Sequence, residues 1–238
     1  MLKEEYRQLL IAAAEKIGTE LSPDSVEKFS RYGELLLEWN KVMNLTAVTD
    51  EREIVIKHYV DSLTILPYLD RLHCRTLADI GSGAGFPGIP VKILRPELDI
   101  VLLDSLGKRV HFLNEVISDL CLMKIRAVHM RAEEGGRNPE FREKFDCASA
   151  RAVAPMNILL EYCMPFVRNG GRFLAMKGAA EEEPYENALR ELKGEVESED
   201  RFTLPQSEFT RRIVCIKKNG FLSTRYPRSA GIPRKKPL

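Results

Sequence analysis

Three observations predict an α/β domain built on a mainly parallel sheet, with a helical extension at its N-terminal end. Roughly the first 70 of the 238 residues place apolar side chains at helical spacing. From Thr76 onward short β-rich runs alternate with helical stretches, the rhythm of parallel strands joined by crossover helices. A glycine-rich loop falls where the first of those strands should end and a helix begin.

In chain order, Leu2, Tyr6, Leu9, Leu10, Ala13 and Ile17 form one apolar stripe that stops at Gly18, a residue suited to a left-handed C-terminal cap. Ser22 can cap a second helix with Pro23 in its first turn, and Val26, Phe29, Leu36 and Leu37 supply its inward face. Asn44-Leu45-Thr46 reads as a loop. Asp50, with Glu53 following at capping-box spacing, starts a third helix. Strands are expected at 76–80, 99–103, 124–130, 145–150, 171–176 and 211–217, with crossover helices over 88–94, 108–120 and 156–167.

Composition narrows the function classes. A hydrophobic share of 44% with 30% charged residues is that of a chain that buries an ordinary core. No apolar run approaches the roughly 18 residues that cross a bilayer, and the N-terminal residues lack the basic-then-apolar order of a secretory signal, so a cytoplasmic protein is expected. Cys74, Cys121, Cys147, Cys163 and Cys215 are scattered, with no CxxC pair and no histidine cluster, so neither a metal site nor a disulfide framework is expected. The net charge of +1 conceals a strong segregation of sign. Residues 181–208 hold ten acids against Arg190, Lys193 and Arg201, whereas residues 209–238 hold nine bases and no acid. That asymmetry points to contact with a polyanion.

The loop reads Asp79-Ile80-Gly81-Ser82-Gly83-Ala84-Gly85-Phe86-Pro87-Gly88. Glycines let the backbone come close to a ligand, and the helix that follows presents free N–H groups. Gly83, Gly85 and Gly88 also satisfy the dinucleotide pattern GxGxxG, so a nicotinamide cofactor competes with S-adenosylmethionine. Asp104, ending the second strand, is placed to accept hydrogen bonds from ribose hydroxyls in either case. Asp79, inside the strand just ahead of the glycines, favours S-adenosylmethionine, whose ammonium end it could help anchor through the loop.

Asp79 to Pro90 resembles motif I of class I methyltransferases, and Leu102 to Arg109 is similar to the corresponding stretch of the GidB/RsmG family of 16S ribosomal RNA guanine-N7 methyltransferases. Further similar stretches span the chain: Trp39-Asn40-Lys41 with Asn44-Leu45-Thr46, His58 with Asp61-Ser62, Arg131 to Glu134, Ser149 to Ala152, Met176-Lys177-Gly178, and Tyr226 to Leu238. The resemblance implies a Rossmann-like, mainly parallel seven-stranded methyltransferase domain over 71–238 that ends in a basic tail, with residues 1–70 as a helical cap packed on it. It also implies S-adenosylmethionine as cofactor and ribosomal RNA or the small ribosomal subunit as partner, with Gly81, Phe86, Ala132, Glu133 and Arg151 reaching the cofactor. The full expected cofactor set is Asp79, Gly81, Gly83, Gly85, Phe86, Asp104, Ser105, Ala132, Glu133 and Arg151.

Guanine N7 carries an in-plane lone pair and no proton, so methylating it needs positioning and not a general base. The sequence agrees: it has neither an Asp/Asn-Pro-Pro-aromatic motif for exocyclic amines nor a Pro-Cys nucleophile. His58 and Asp61 fall on one face of the third helix, either as a mutually satisfied hydrogen-bonded pair or as a wall of the substrate pocket, with Asn40 and Asn44 placed to read a base edge. Lys108, Arg109, Arg228, Arg234, Lys235 and Lys236 are expected to meet RNA phosphates. A monomer is expected. The competing readings are a small-molecule methyltransferase and a non-catalytic module that binds NAD or another nucleotide.

Overall fold

Ser22 and Asp50 act as the N-terminal caps their spacing implies. The computed structural model, described over residues 2–180 and 184–238, has the Ser22 hydroxyl accepting from the Ser25 N–H and the Asp50 carboxylate from the Glu53 N–H. These caps open α2 (Pro23–Met43) and α3 (Glu51–Ile54), and α1 (Glu4–Ile17) ends at Gly18 in the left-handed region, as predicted. The third helix departs from its expected regularity. After α3 it widens into a π-helical turn, Val55–Val60, before α4 (Asp61–Leu63) and α5 (Leu66–Arg71). A π-turn inserts one residue into the helical repeat and rotates the side chains around it, a feature common at functional sites.

The sheet domain then runs β1 (Thr76–Ile80), α6 (Gly88–Leu94), β2 (Asp99–Asp104), α7 (Gly107–Asp119), β3 (Ile125–His129), α8 (Ala132–Gly135), β4 (Phe145–Arg151), α9 (Met156–Cys163), β5 (Val167–Lys177), α10 (Glu186–Glu191), β6 (Gly194–Thr203), β7 (Thr210–Lys218) and α11 (Ile232–Lys235). The strands form one seven-stranded sheet in the order β3-β2-β1-β4-β5-β7-β6, in which β7 alone runs against its neighbours. The order turns outward on both sides of β1 and β4, so the carboxyl ends of these strands border the crevice where ligands of such sheets bind.

Alternate side chains of each strand feed two apolar layers. Leu77, Ile100 and Leu102 face the layer that holds Leu10, Phe29, Tyr59, Ile89 and Phe112. Ala78, Ile80, Val101 and Leu103 face the layer with Met156, Leu160, Phe166 and Tyr226. Residues 2–70 therefore share one core with α6 and α7. Trp39 packs on His111 and Phe112, and the Tyr32 hydroxyl donates to the Ala84 carbonyl of the glycine loop.

The strand that the residue pattern does not predict is β6. Its acid-rich sequence lacks the apolar alternation of a buried strand, and only its pairing with β7 explains it. Glu195 lies opposite Lys217 in the register, and Glu199 pairs with Arg212 at 3.1 Å. The segregated charge read as a polyanion surface is thus partly an internal match: Arg211 pairs with Asp61, Arg212 with Glu199, fully buried Lys218 with Glu143, and Arg228 with Glu161. The acids at 181–183 that head the run lie outside the described residues.

Candidate active site

The glycine loop leaves β1 with Gly81, Gly83 and Gly85 all at positive φ. The conformation is required at Gly85, where φ is 100° and a Cβ would stand 2.5 Å from the Ile89 Cδ1 and 2.8 Å from the Tyr32 hydroxyl. Two carboxylates hold the loop. Buried Asp104 accepts from the Gly83 N–H and the Leu106 N–H, each at 2.9 Å. Fully buried Asp79 accepts from the Gly88 N–H at 3.0 Å, at the start of α6, and lies 3.4 Å from the Ser149 hydroxyl. Burial raises the Asp79 carboxyl to about 6 against the lowering influence of these bonds and of Arg151. Asp79 thus lies beneath the loop and reaches any ligand through it.

Around this loop, Gly81, Ser105, Met130, Ala132, Glu133, Val153, Tyr162 and Arg234 line a cleft of about 200 Å³ at the carboxyl ends of β1, β2 and β3. Its chemistry fits an adenosyl group, with an apolar wall of Met130 and Val153 beside exposed Ser105, the residue that follows buried Asp104 at the end of β2. The C-terminal tail closes one side. The Gly231 N–H donates to Glu133 Oε1 at 2.9 Å, and Arg228 grips fully buried Glu161 with both its main chain and its guanidinium.

Phe86 and Arg151 were expected beside the cofactor, and the structure places both against the helical extension. Phe86 stacks on His58 with ring centroids 4.5 Å apart and packs on Tyr32 and Tyr59. The Arg151 guanidinium lies over the Phe86 ring and donates to the Lys57 carbonyl at 2.8 Å, Asp61 Oδ2 at 3.1 Å and His58 Nδ1 at 3.3 Å. His58 and Asp61 are thus joined through Arg151 and not by the direct hydrogen bond that was one of their two readings. His58 Nδ1 lies 3.3 Å from that guanidinium and 3.2 Å from the Lys57 carbonyl, and Nε2 lies 2.8 Å from the Thr46 hydroxyl. Burial and the Arg151 charge hold the imidazole down to about 3, neutral at physiological pH.

Thr46 owes its place to Asn40. The Asn40 side-chain amide donates to the Thr46 carbonyl and accepts from the Thr46 N–H, both at 2.9 Å, so Asn40 is a clamp on the loop, while Asn44 caps α2 in the left-handed region and is exposed. The chain Asn40, Thr46, His58, Arg151, Asp61 opens on a second cleft of about 540 Å³, lined by Lys57, His58, Asp61, Arg151, Ala152, Met176, Lys177 and Arg211. The two clefts adjoin at the end of β4, where Arg151 and Ala152 line one and Val153 the other.

Lys57, Lys177 and Arg211 do not figure among the site residues expected from the sequence, and for Arg211 the reason is that the rule placing ligands at carboxyl ends holds for parallel strands. In antiparallel β7 it is the first residues, paired in register with Lys177 at the end of β5, that reach the site. Of the expected RNA contacts, Lys108, Arg234, Lys235 and Lys236 are exposed, Arg109 sits 3.6 Å from Asp104, and Arg228 is engaged with Glu161.

The chain is similar to known proteins over nearly its whole length. The family model described as rRNA small subunit methyltransferase G matches residues 25–213. A "Ribosomal RNA small subunit methyltransferase G" of Acetivibrio thermocellus is 50% identical over 98% of this chain and 96% of its own length, and one of Caldanaerobacter subterraneus subsp. tengcongensis is 47% identical over the whole of both. Among solved structures, the Burkholderia thailandensis 1,6-didemethyltoxoflavin-N1-methyltransferase, bound to S-adenosylhomocysteine, covers 80% of this chain and 90% of its own with a TM-score of 0.52 and 13% identity, a likeness of fold. The chain folds as a class I methyltransferase and belongs to the rRNA small subunit methyltransferase G family, GidB.

Proposed function

We propose that this chain methylates N7 of a guanine in 16S ribosomal RNA, with S-adenosylmethionine as donor, by direct in-line displacement without a general base. The observation that carries the reading is the meeting of two unlike clefts at the end of β4: one narrow and partly apolar behind the glycine loop, the other wide and rich in cations. The full-length relatives named for small-subunit ribosomal RNA support the same acceptor.

S-adenosylmethionine, when bound, supplies an electrophilic methyl group on a sulfonium. Gly81, Gly83, Ser105, Ala132 and Glu133 would hold it, with Asp104 toward the ribose and Asp79 acting through the loop. In the displacement the N7 lone pair forms the new N–C bond while the C–S electrons stay on sulfur, so no proton leaves N7. The second cleft fits that demand, because its imidazole is held neutral near 3 and its carboxylate is ion-paired with two arginines, a poor set for proton abstraction. What the residues contribute is alignment, which for well-held reactants is worth roughly 7 to 11 kcal/mol.

Exposed Arg234, Lys235 and Lys236, with Lys108, extend the cation-rich surface past the tail and serve as phosphate contacts in this reading. We place the protein in the cytoplasm as a monomer, where its acceptor is made. Among the described residues no helix is long and apolar enough to cross a membrane.

The deciding experiment supplies labelled donor with undermethylated ribosomal RNA or small subunits and maps the methyl by mass spectrometry. Label on a guanine N7 of 16S RNA is expected. Label only on metabolites would establish a small-molecule enzyme, and thermal stabilisation by NADH instead of S-adenosylhomocysteine would establish a nucleotide-binding module.

A further inference from the structure

Arg151 and Arg211 come from different strands and converge on a single oxygen of Asp61, at 3.1 Å and 3.2 Å. One carboxylate therefore serves two guanidiniums, and Lys57 joins them on the rim of the same cleft with Glu53 as its own partner at 2.6 Å. With Lys177, four cations line this cleft against the single carboxylate of Asp61, and Glu53 stands behind Lys57. Each guanidinium keeps part of its donor fork turned to the cleft, with side chains 14% and 23% exposed for Arg151 and Arg211. Both are held rigidly. Arg151 is pinned by the Lys57 carbonyl and the Phe86 ring, and Arg211 by the Thr210 carbonyl and the Phe209 ring.

A surplus of fixed guanidinium charge is poorly matched to the reaction itself. Methylation of N7 places a unit positive charge on the purine, and uncompensated cations beside the ring would oppose it. The same groups with an anion between them would not. We therefore propose that this cleft holds a phosphodiester of the acceptor RNA strand, gripped by Arg211 with Arg151 and Lys57, so that the target guanine is fixed by its own backbone beside the donor cleft. This rests on the RNA methyltransferase reading and adds to it a subsite apart from the basic tail. Asp61 then acts as a positioning residue that splays the two forks, and planar guanidiniums so held suit bidentate phosphate binding better than ammonium groups would.

The test measures binding of undermethylated ribosomal RNA to the full chain saturated with S-adenosylhomocysteine, across about 50 to 200 mM salt, a range over which each lost phosphate contact lowers the log–log slope by about 0.7 to 0.9. Arg211→Gln is expected to lower the slope by about one and raise KM for RNA more than it lowers kcat, with S-adenosylhomocysteine affinity within about twofold of wild type. Asp61→Asn, which removes a competing anion, is expected to keep or steepen the slope. Arg211→Lys keeps the charge but loses the fork, so its slope should match wild type while affinity falls; it also decides the matter if Arg211→Gln does not fold. An unchanged slope in Arg211→Gln, a slope flattened equally by Asp61→Asn, or wild-type affinity in Arg211→Lys would overturn the subsite. A wild-type protein that binds S-adenosylhomocysteine but no RNA would overturn the reading beneath it.

Discussion

The glycine loop of the proposed donor cleft and the side-chain relay of the proposed acceptor cleft are built in opposite ways. The glycine loop behind the proposed donor cleft is a local construction, its backbone groups oriented by Asp79 of β1 and Asp104 of β2, although the other walls of that cleft come from Met130, Ala132, Tyr162 and Arg234. The acceptor cleft is assembled from a distance, with Asn40 on α2, Thr46 in a loop, His58 on the π-turn, Arg151 at the end of β4 and Arg211 at the start of β7. A glycine loop can be recognised from ten consecutive residues, whereas a relay of side chains spread along the chain leaves no short pattern. The contrast also separates their sensitivities. The first should respond to changes in loop geometry, the second to the loss of any single link.

The largest effect expected concerns Asp79, which joins the loop to the core. Its carboxyl is raised in the folded protein to about 6 from an ordinary 3.8, so the stability it contributes is fully present below about 3.8 and lost as pH rises through 6. Asp79→Asn removes that dependence. The difference in unfolding free energy between wild type and variant, followed by denaturant titration, should therefore shift in favour of the variant by about 3 kcal/mol from about pH 3 to pH 7. A difference that stays flat with pH would show that Asp79 is not the buried acid the geometry makes it.

Arg151→Ala tests the boundary between the clefts. If Arg151 serves the acceptor side, kcat/KM for RNA should fall by about 100-fold, while S-adenosylhomocysteine affinity by calorimetry changes by less than about fivefold. The reverse pattern would return Arg151 to the cofactor and merge the two regions. Asp104→Asn should do the opposite at smaller scale, weakening S-adenosylhomocysteine by about tenfold, because charged acceptors for two loop N–H groups are replaced by a neutral one, with little change in RNA affinity.

The smallest effect is an absence of change. His58, lowered to about 3, contributes stability that is present above its ordinary 6.5 and lost as pH falls toward 3, opposite in sign to Asp79 over the overlapping window. Its ring resonances should show no titration between about pH 5 and pH 8, and a midpoint near 6.5 would place solvent where the structure has Phe86 and Arg151.

Much of this molecule is legible in its sequence, and the legible parts share one property. Gly18, Ser22-Pro23, Asp50 and the Asp79 to Gly88 loop act on backbone groups a few residues away, so their meaning survives without knowledge of the rest. The strands β1, β2 and β4 are apolar because they are buried on both faces, and that too is written in consecutive residues. Strand β6 escaped because its stabilising partners are the bases of β7 and Arg172 of β5, and opposite charges on adjacent strands look in sequence like two separate charged tracts.

By itself the sequence determined the α/β rhythm, the glycine loop with its two acids, and the resemblance that identified the cofactor and acceptor. Only the tertiary structure decided that Phe86 and Arg151 turn toward the helical extension, that Arg228 is held by buried Glu161, and that Arg211 enters the site from the one antiparallel strand. The reason is range. Capping and turn chemistry are settled over a few residues of chain, but which oppositely charged groups neutralise each other, and which are left facing a cleft, is settled by burial and by contacts between segments as much as 150 residues apart.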